Sequence, residues 1–225
     1  MNLHISEAWQ VTYPGAVVGI MTMEKVSNPE QHAGLEERKA ALETALRAQF
    51  QRADAALLDA LPSIKPYADY YGRFKKSYHV RMQLESVALK GKSLPRVAAL
   101  VEAMFMAELQ DQLLTAGHDL DALAGEVRLE ISRGDERYVM LNGKEQMLKP
   151  GDMAMADEQG IISCIIYGPD QRTRITPATG RALFVVYGPP GITAEMVTQH
   201  LEHIRDYVQL VTPEAEVTTL QVYQG

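Results

Sequence analysis

The apolar pattern of this chain changes period once, at Gly125, and that change divides what it can build. Beyond it, Glu126-Val127-Arg128-Leu129-Glu130-Ile131 alternates as a half-buried strand does. Before it, apolar residues recur at helical spacing. Asn28-Pro29-Glu30-Gln31 has the cap, N1 proline and capping-box order of a helix start, and Leu35, Leu42, Leu46 and Phe50 continue that helix toward Leu57. Pro62 and Pro66 punctuate the way to a second helical stretch. Ser77 is placed to cap a helix that Gly91 ends. Ser93 caps the next, with Pro95 in its first turn and Val97, Leu100, Val101, Met104 and Leu109 on one face, running to Thr115-Ala116-Gly117. One strand, 16–23, precedes all of this. Downstream, strands are expected at 138–141, 153–156, 161–166, 172–176 and 182–187, with Asn142-Gly143, Pro150-Gly151, Gln159-Gly160 and Gly168-Pro169 as turns. Thr193 caps a last helix through Val197, Leu201 and Ile204, and 217–223 is a closing strand. The expectation is one α+β domain over residues 1–225, helical in its first half and mainly antiparallel sheet in its second.

Composition narrows the function classes. With 46% hydrophobic residues the chain can bury a sizeable core, yet no run of eighteen apolar residues offers a membrane span. Residues 1–7 have neither the basic start nor the apolar run of a signal peptide, so a cytoplasmic protein is expected. The single cysteine, Cys164, lies in an apolar run, which suits an inert thiol and excludes a disulfide framework. His200 and His203 share a helix face but lack a matching ligand set, so no metal or cofactor is expected. Gly188-Pro189-Pro190-Gly191 precedes a helix, but its two prolines remove donors that an anion site needs, and it reads as a plain turn.

Charge is unevenly spread in a chain of net −7. Lys65, Arg73, Lys75, Lys76, Arg81, Lys90, Lys92 and Arg96 stand against only Asp69 and Glu85 in their segment. Tyr67, Tyr70, Tyr71, Phe74 and Tyr78 interleave with them. Two readings stay open: a footprint for an anionic partner such as RNA, with rings for base stacking, or a solvated helix face over an aromatic core. On the first, Lys75, Lys76, Arg81, Lys92 and Arg96 are the candidate RNA contacts. His118-Asp119-Leu120-Asp121 sits where the two halves meet, as a cleft with His118 as proton shuttle or as an Asp-capped turn. In 172–176, strand alternation would put Arg172, Arg174 and Thr176 on one side, suited to a carboxylate or phosphate, or to solvent.

The succession of motifs resembles the B3/B4 domain of the bacterial phenylalanyl-tRNA synthetase β chain, and more closely the free-standing proteins made of that domain alone. The resembling stretches run from about 77 to 187: Leu94-Pro95-Arg96-Val97, Gly117-His118-Asp119-Leu120-Asp121-Ala122-Leu123, Gly125-Glu126-Val127-Arg128-Leu129, Arg133-Gly134-Asp135-Glu136, Leu148-Lys149-Pro150-Gly151-Asp152, and Arg172-Thr173-Arg174-Ile175-Thr176 with Thr179. In the synthetase this domain hydrolyses tyrosine wrongly attached to the phenylalanine tRNA. The resemblance places that site's Asp at Glu102, its Thr-Asn pair at Met104 and Phe105, its His at Ala116 and its Glu at Arg174. Only Thr176 and Asp119-Leu120-Asp121 carry over intact. It thus implies a tRNA or aminoacyl-tRNA partner, with His118 and Asp119 as rearranged catalytic groups for trans-editing and with Glu102, Met104, Phe105, Asp121, Arg172, Arg174 and Thr176 lining the substrate site. The alternative is a small anionic metabolite bound in the same cleft, and a third reading is an interaction module that kept the fold and lost the chemistry.

Overall fold

Two sheets share one apolar interior in the computed structural model, which describes residues 3–225. Met1 and Asn2, part of the segment read for a signal peptide, lie outside the described residues. In chain order the elements are β1 (Leu3–Ile5), α1 (Glu7–Thr12), β2 (Val17–Glu24), α2 (Ala33–Gln49), α3 (Ala55–Asp59), α4 (Lys65–Arg73), α5 (His79–Leu84, continued by a wide turn at Glu85–Leu89) and α6 (Ala99–Asp111). Then follow β3 (Thr115–Asp119), a single turn at Leu120–Ala122, β4 (Val127–Ile131), β5 (Arg137–Val139), β6 (Glu145–Met147), β7 (Met153–Asp157), β8 (Gly160–Cys164), β9 (Gly168–Pro169), β10 (Arg181–Gly188), α7 (Ala194–Val211) and β11 (Glu216–Gln224). The α+β class, the helical first half and the mainly antiparallel sheets are as expected.

One sheet runs β1-β4-β7-β8-β9 and the other β11-β2-β10-β3, with β5-β6 as a separate hairpin. All pairings are antiparallel except β1 with β4. The hairpin turns at Asn142-Gly143, where Gly143 has φ 78° and Asn142 Oδ1 accepts the Lys144 N–H. Helix α7 lies on β2 at the one place where a side chain is missing: a Cβ on Gly19 would sit 2.4 Å from Val197 Cγ1. That close approach fixes the residues of α7 relative to the sheet. Trp9 of α1, fully buried, donates from its indole to Met153 Sδ at 3.2 Å and pins α1 to the first sheet. Among the described residues no helix is long and apolar enough to cross a membrane.

Several local expectations are corrected. Asn28 does not start α2, whose cap is His32, its Nδ1 accepting the Leu35 N–H at 3.3 Å. Buried Asn28 instead accepts the Leu100 N–H at 2.9 Å, capping α6 from outside, and donates to the Thr176 carbonyl at 3.0 Å. Ser93 and Pro95 accordingly precede the helix, which begins at Ala99. That helix ends at Gln112, in the left-handed region at φ 58°, so 115–117 belongs to β3 rather than to a helix end. Residues 172–176 are an irregular loop, not a strand.

Candidate functional site

Ion pairing sorts the basic segment. Lys65 meets Asp69 at 2.8 Å, Arg81 meets Asp59 at 2.8 Å and also Glu85, Lys90 meets Glu85 at 2.6 Å, and Arg96 meets Glu36 at 3.4 Å. Arg73, Lys75, Lys76 and Lys92, all exposed, have no ion pair among the described residues. Three of these four are brought together by the way α4 ends. Lys76 N–H bonds the Tyr71 carbonyl and Lys75 N–H the Gly72 carbonyl, with Lys75 at φ 57° in the left-handed position that glycine usually fills. The guanidinium of Arg73 lies 5.0 Å from the centre of the Tyr13 ring, and Lys76 Nζ lies 5.5 Å from that of Tyr167. Lys149, likewise exposed and unpaired, arrives from the β6–β7 connection. Arg73, Phe74, Lys75, Lys149 and Pro150 line one open groove of about 480 Å³.

The interleaved tyrosines are core, not a stacking platform. Tyr67 stacks on Tyr78 with centroids 4.5 Å apart, and Tyr67, Tyr70, Tyr71 and Tyr78 are all buried. Their hydroxyls bond the Tyr187 carbonyl, Asp152, the Ile165 carbonyl and the Gln112 carbonyl. Only Phe74 remains half-buried at the groove. The structure thus brings Lys75 to the groove, sets Lys76 beside it over Tyr167, holds Arg81 and Arg96 in ion pairs, and leaves Lys92 outside the groove. Sequence reasoning missed Arg73 as a contact, though it lay in the basic run. Lys149 carried no local signal, because only the fold brings it to α4.

His118, on β3, is completely buried. Its Nδ1 lies 2.7 Å from Thr173 Oγ1, and the Thr173 hydroxyl donates in turn to Asp170 Oδ1. With that proton committed to Asp170, the imidazole is assigned as the Nδ1–H tautomer. Nε2 is left as a buried acceptor without a partner among the described residues. Burial, and secondarily the Arg172 charge, push its pKa down to about 3, so the ring is neutral. Asp119 behaves as the capping reading expects: Oδ1 accepts the Asp121 N–H at 3.0 Å, and Oδ2 takes the Thr179 hydroxyl at 2.7 Å. Asp121 pairs with Arg181 at 2.7 Å.

Most of the expected substrate-lining side chains have partners within the fold. Arg172 is spent on Asp157 at 2.8 Å and the Ala122 carbonyl at 2.9 Å, whereas Arg174 donates to the Gln171 carbonyl at 2.8 Å. The shared face expected for them is lost because the segment is a loop. Thr176 Oγ1 accepts the Ala178 N–H within its own turn. Glu102 is buried against Lys39 at 2.6 Å. Phe105 is half-buried against the core. Met104 and Ile175 cover Gly117, where a Cβ would lie 2.5 Å from Met104 Sδ and 2.8 Å from Ile175 Cδ1. Of the positions that the resemblance aligns with editing groups, Met104, Phe105 and Ala116 are packing side chains, Glu102 is held by Lys39, and Arg174 is exposed.

The family model of the B3/4 domain matches residues 67–207, more than half of the chain. Over 69 residues, 31% of this chain, the sequence is 33% identical to the phenylalanine–tRNA ligase beta subunit of Mycoplasma genitalium and 36% identical to that of Mycoplasma pneumoniae. Each match spans only 9% of the relative's length. An N-terminal fragment of the phenylalanyl-tRNA synthetase beta-subunit from Pyrococcus horikoshii aligns with 98% of this chain and 50% of its own, at TM-score 0.47 and 10% identity. On the family match, carried by the α4–α7 region just described, the chain belongs to the B3/4 domain family.

Proposed function

We propose that this B3/4 domain protein binds RNA, with tRNA the class suggested by the names of its relatives, through Arg73, Lys75, Lys76 and Lys149. The observation that supports the reading is selective neutralisation. Four cations of the segment are matched by carboxylates, while Arg73, Lys75 and Lys149 line one groove that contains no acid, and Lys76 stands over the Tyr167 ring with no ion pair among the described residues. Lys75 strengthens the argument, since a lysine occupies a backbone position where glycine costs least and the retained charge has no intramolecular use. The net charge of −7 opposes non-specific phosphate binding over the whole surface, which confines attraction to this patch. Trans-editing hydrolysis through His118 and Asp119 has less support, because the imidazole is buried and Asp119 is held by Thr179 and the Asp121 amide. Binding is the activity this geometry favours.

The test is tRNA affinity measured across a salt series. Four phosphate contacts give a slope of log K against log salt of roughly −3 to −4. Lys75→Ala with Lys76→Ala and Lys149→Ala flattens that slope by about 2 to 3. Affinity indifferent to the triple substitution, or lost equally on Arg174→Ala, overturns the reading.

A further inference from the structure

A second cluster, on the opposite side of α6 from Lys39 and absent from the RNA-binding reading, joins three elements at one hydroxyl. Asp111 closes α6 and Thr115 opens β3. Between them the chain reverses at Gln112, whose amide bonds the Leu109 and Gln110 carbonyls at 2.9 and 2.8 Å and accepts from Ser63 at 2.9 Å. This turn brings Thr115 back toward Asp111. Helix α7, seated on Gly19 through Val197 and Leu201, inserts His200 between them. The Thr115 Oγ1 to His200 Nε2 distance is 2.6 Å, and His200 Nδ1 to Asp111 Oδ2 is 2.8 Å. His200 is fully buried, so its ring cannot turn away, whereas Thr115 is only half-buried. A carboxylate can only accept, so Asp111 assigns the proton to Nδ1 and leaves Nε2 to accept from the threonine hydroxyl.

We infer that Thr115, His200 and Asp111 form an acyl-transfer relay, with Thr115 as nucleophile toward carboxylic esters. The hydroxyl, base and orienting carboxylate stand in the mutual geometry that activates a serine or threonine oxygen. Threonine is stiff at χ1, so on a strand its oxygen is held where the base can reach it. Glu108 accepts the Thr115 N–H at 2.9 Å, and burial pushes its carboxyl up to about 8, so it is neutral near pH 7. His203 donates from Nδ1 to the same Asp111 carboxylate at 2.9 Å and meets Gln199 at 3.2 Å, which holds the carboxylate from its exposed side.

The step balances without any further reagent. A Thr115 oxygen lone pair forms a bond to the acyl carbon as the hydroxyl proton passes to His200 Nε2. Collapse of the tetrahedral adduct breaks the bond to the leaving alcohol, which takes that proton. Water then repeats the sequence on the acyl-threonine, releasing the acid and restoring the hydroxyl. Asp111 is a positioning residue: it sets the tautomer and the ring orientation of His200.

The experiment uses p-nitrophenyl acetate, which needs no RNA surface, so its outcome is independent of tRNA binding. Expected are a burst of nitrophenolate equal to the protein concentration and a single acetyl group mapped by mass spectrometry to Thr115. Thr115→Val removes both, Thr115→Ser keeps both, and Asp111→Asn lowers the burst rate about a hundredfold or more with KM unchanged, while Asp111→Glu restores part of the rate. A merely structural Asp111 would change folding stability without that split between rate and KM. Absence of acetyl on Thr115 in the unmodified protein, label confined to lysines, or an unaltered burst in Thr115→Val overturns the inference.

Discussion

The Lys39 ammonium stands 2.6 Å from the Glu102 carboxylate, with 8% and 2% of the two side chains exposed. A residue expected to meet substrate is thus an internal tie between α2 and α6. Lys39 also reaches Glu36 at 3.0 Å, and Glu102 lies 3.4 Å from the Val97 N–H, so the buried charges are compensated from two sides.

Glu102→Ala therefore destabilises the fold by about 3 kcal/mol, toward the lower end for a broken buried pair because Glu36 remains. Replacing both partners, Lys39→Met with Glu102→Leu, recovers most of that loss. Urea unfolding of the three variants measures it. Equal stability of Glu102→Ala and the parent protein would show that the pair holds nothing.

The buried Glu108 makes stability fall with rising pH. Its carboxyl is raised in the fold from 4.5 to about 8, so between those values the folded chain holds a proton that the unfolded chain has lost. Stability is then fully present below pH 4.5 and declines as pH rises toward 8, by up to about 1.4 kcal/mol per unit. His118 acts oppositely below pH 6.5, where unfolded histidine binds a proton that the folded ring refuses. Above 6.5 Glu108 is left to dominate. Denaturation midpoints at pH 6.5, 7.2 and 8.0 should decline in the parent and stay level in Glu108→Gln. A level parent curve contradicts the buried neutral carboxyl.

At Lys75, charge and backbone can be separated by one substitution. Lys75→Gly removes the ammonium while supplying the residue that φ 57° suits, so thermal stability holds or rises by up to about 1 kcal/mol as tRNA affinity falls. Arg81→Ala does the reverse, since its guanidinium is committed to Asp59 and Glu85: affinity is kept and stability declines. Calorimetry and filter binding on the same two proteins give the answer. Affinity loss in Arg81→Ala alone would relocate the RNA surface.

Asn28 caps a helix 72 residues further along the chain. Asn28→Ala leaves the buried Leu100 N–H without its acceptor, leaves the Thr176 carbonyl only the Thr179 N–H, and costs about 1 to 3 kcal/mol. Hydrogen exchange at the start of α6 should rise with it. Protection unchanged at Leu100 would mean that another group caps the helix.

Local chemistry alone determined several pieces of this protein: the alternating strand after Gly125, the hairpin at Asn142-Gly143, the Thr193 cap of α7 and the basic run of 65–96. Each is set by neighbours within a few residues, through side-chain period, turn conformation or cap hydrogen bonds, and so is legible without a fold. The motif order likewise points to the family without a fold. What tertiary structure decided was partnership. The alternation of 172–176 is a strand pattern, yet Asp157 and Asp170, from β7 and the end of β9, draw Arg172 and Thr173 into a loop. Asn28 and Ser93 both carry helix-start chemistry, and only packing selects Asn28 for α6. Eight cations look alike in a sequence, but acids on α2 and α3, remote along the chain, neutralise Arg96 and Arg81 and leave Arg73 and Lys75 to meet Lys149. Thr115, His200 and Asp111 are unremarkable apart. Hydrogen bonds and ion pairs depend on distances of a few ångströms, and across long separations along the chain only the fold sets those distances.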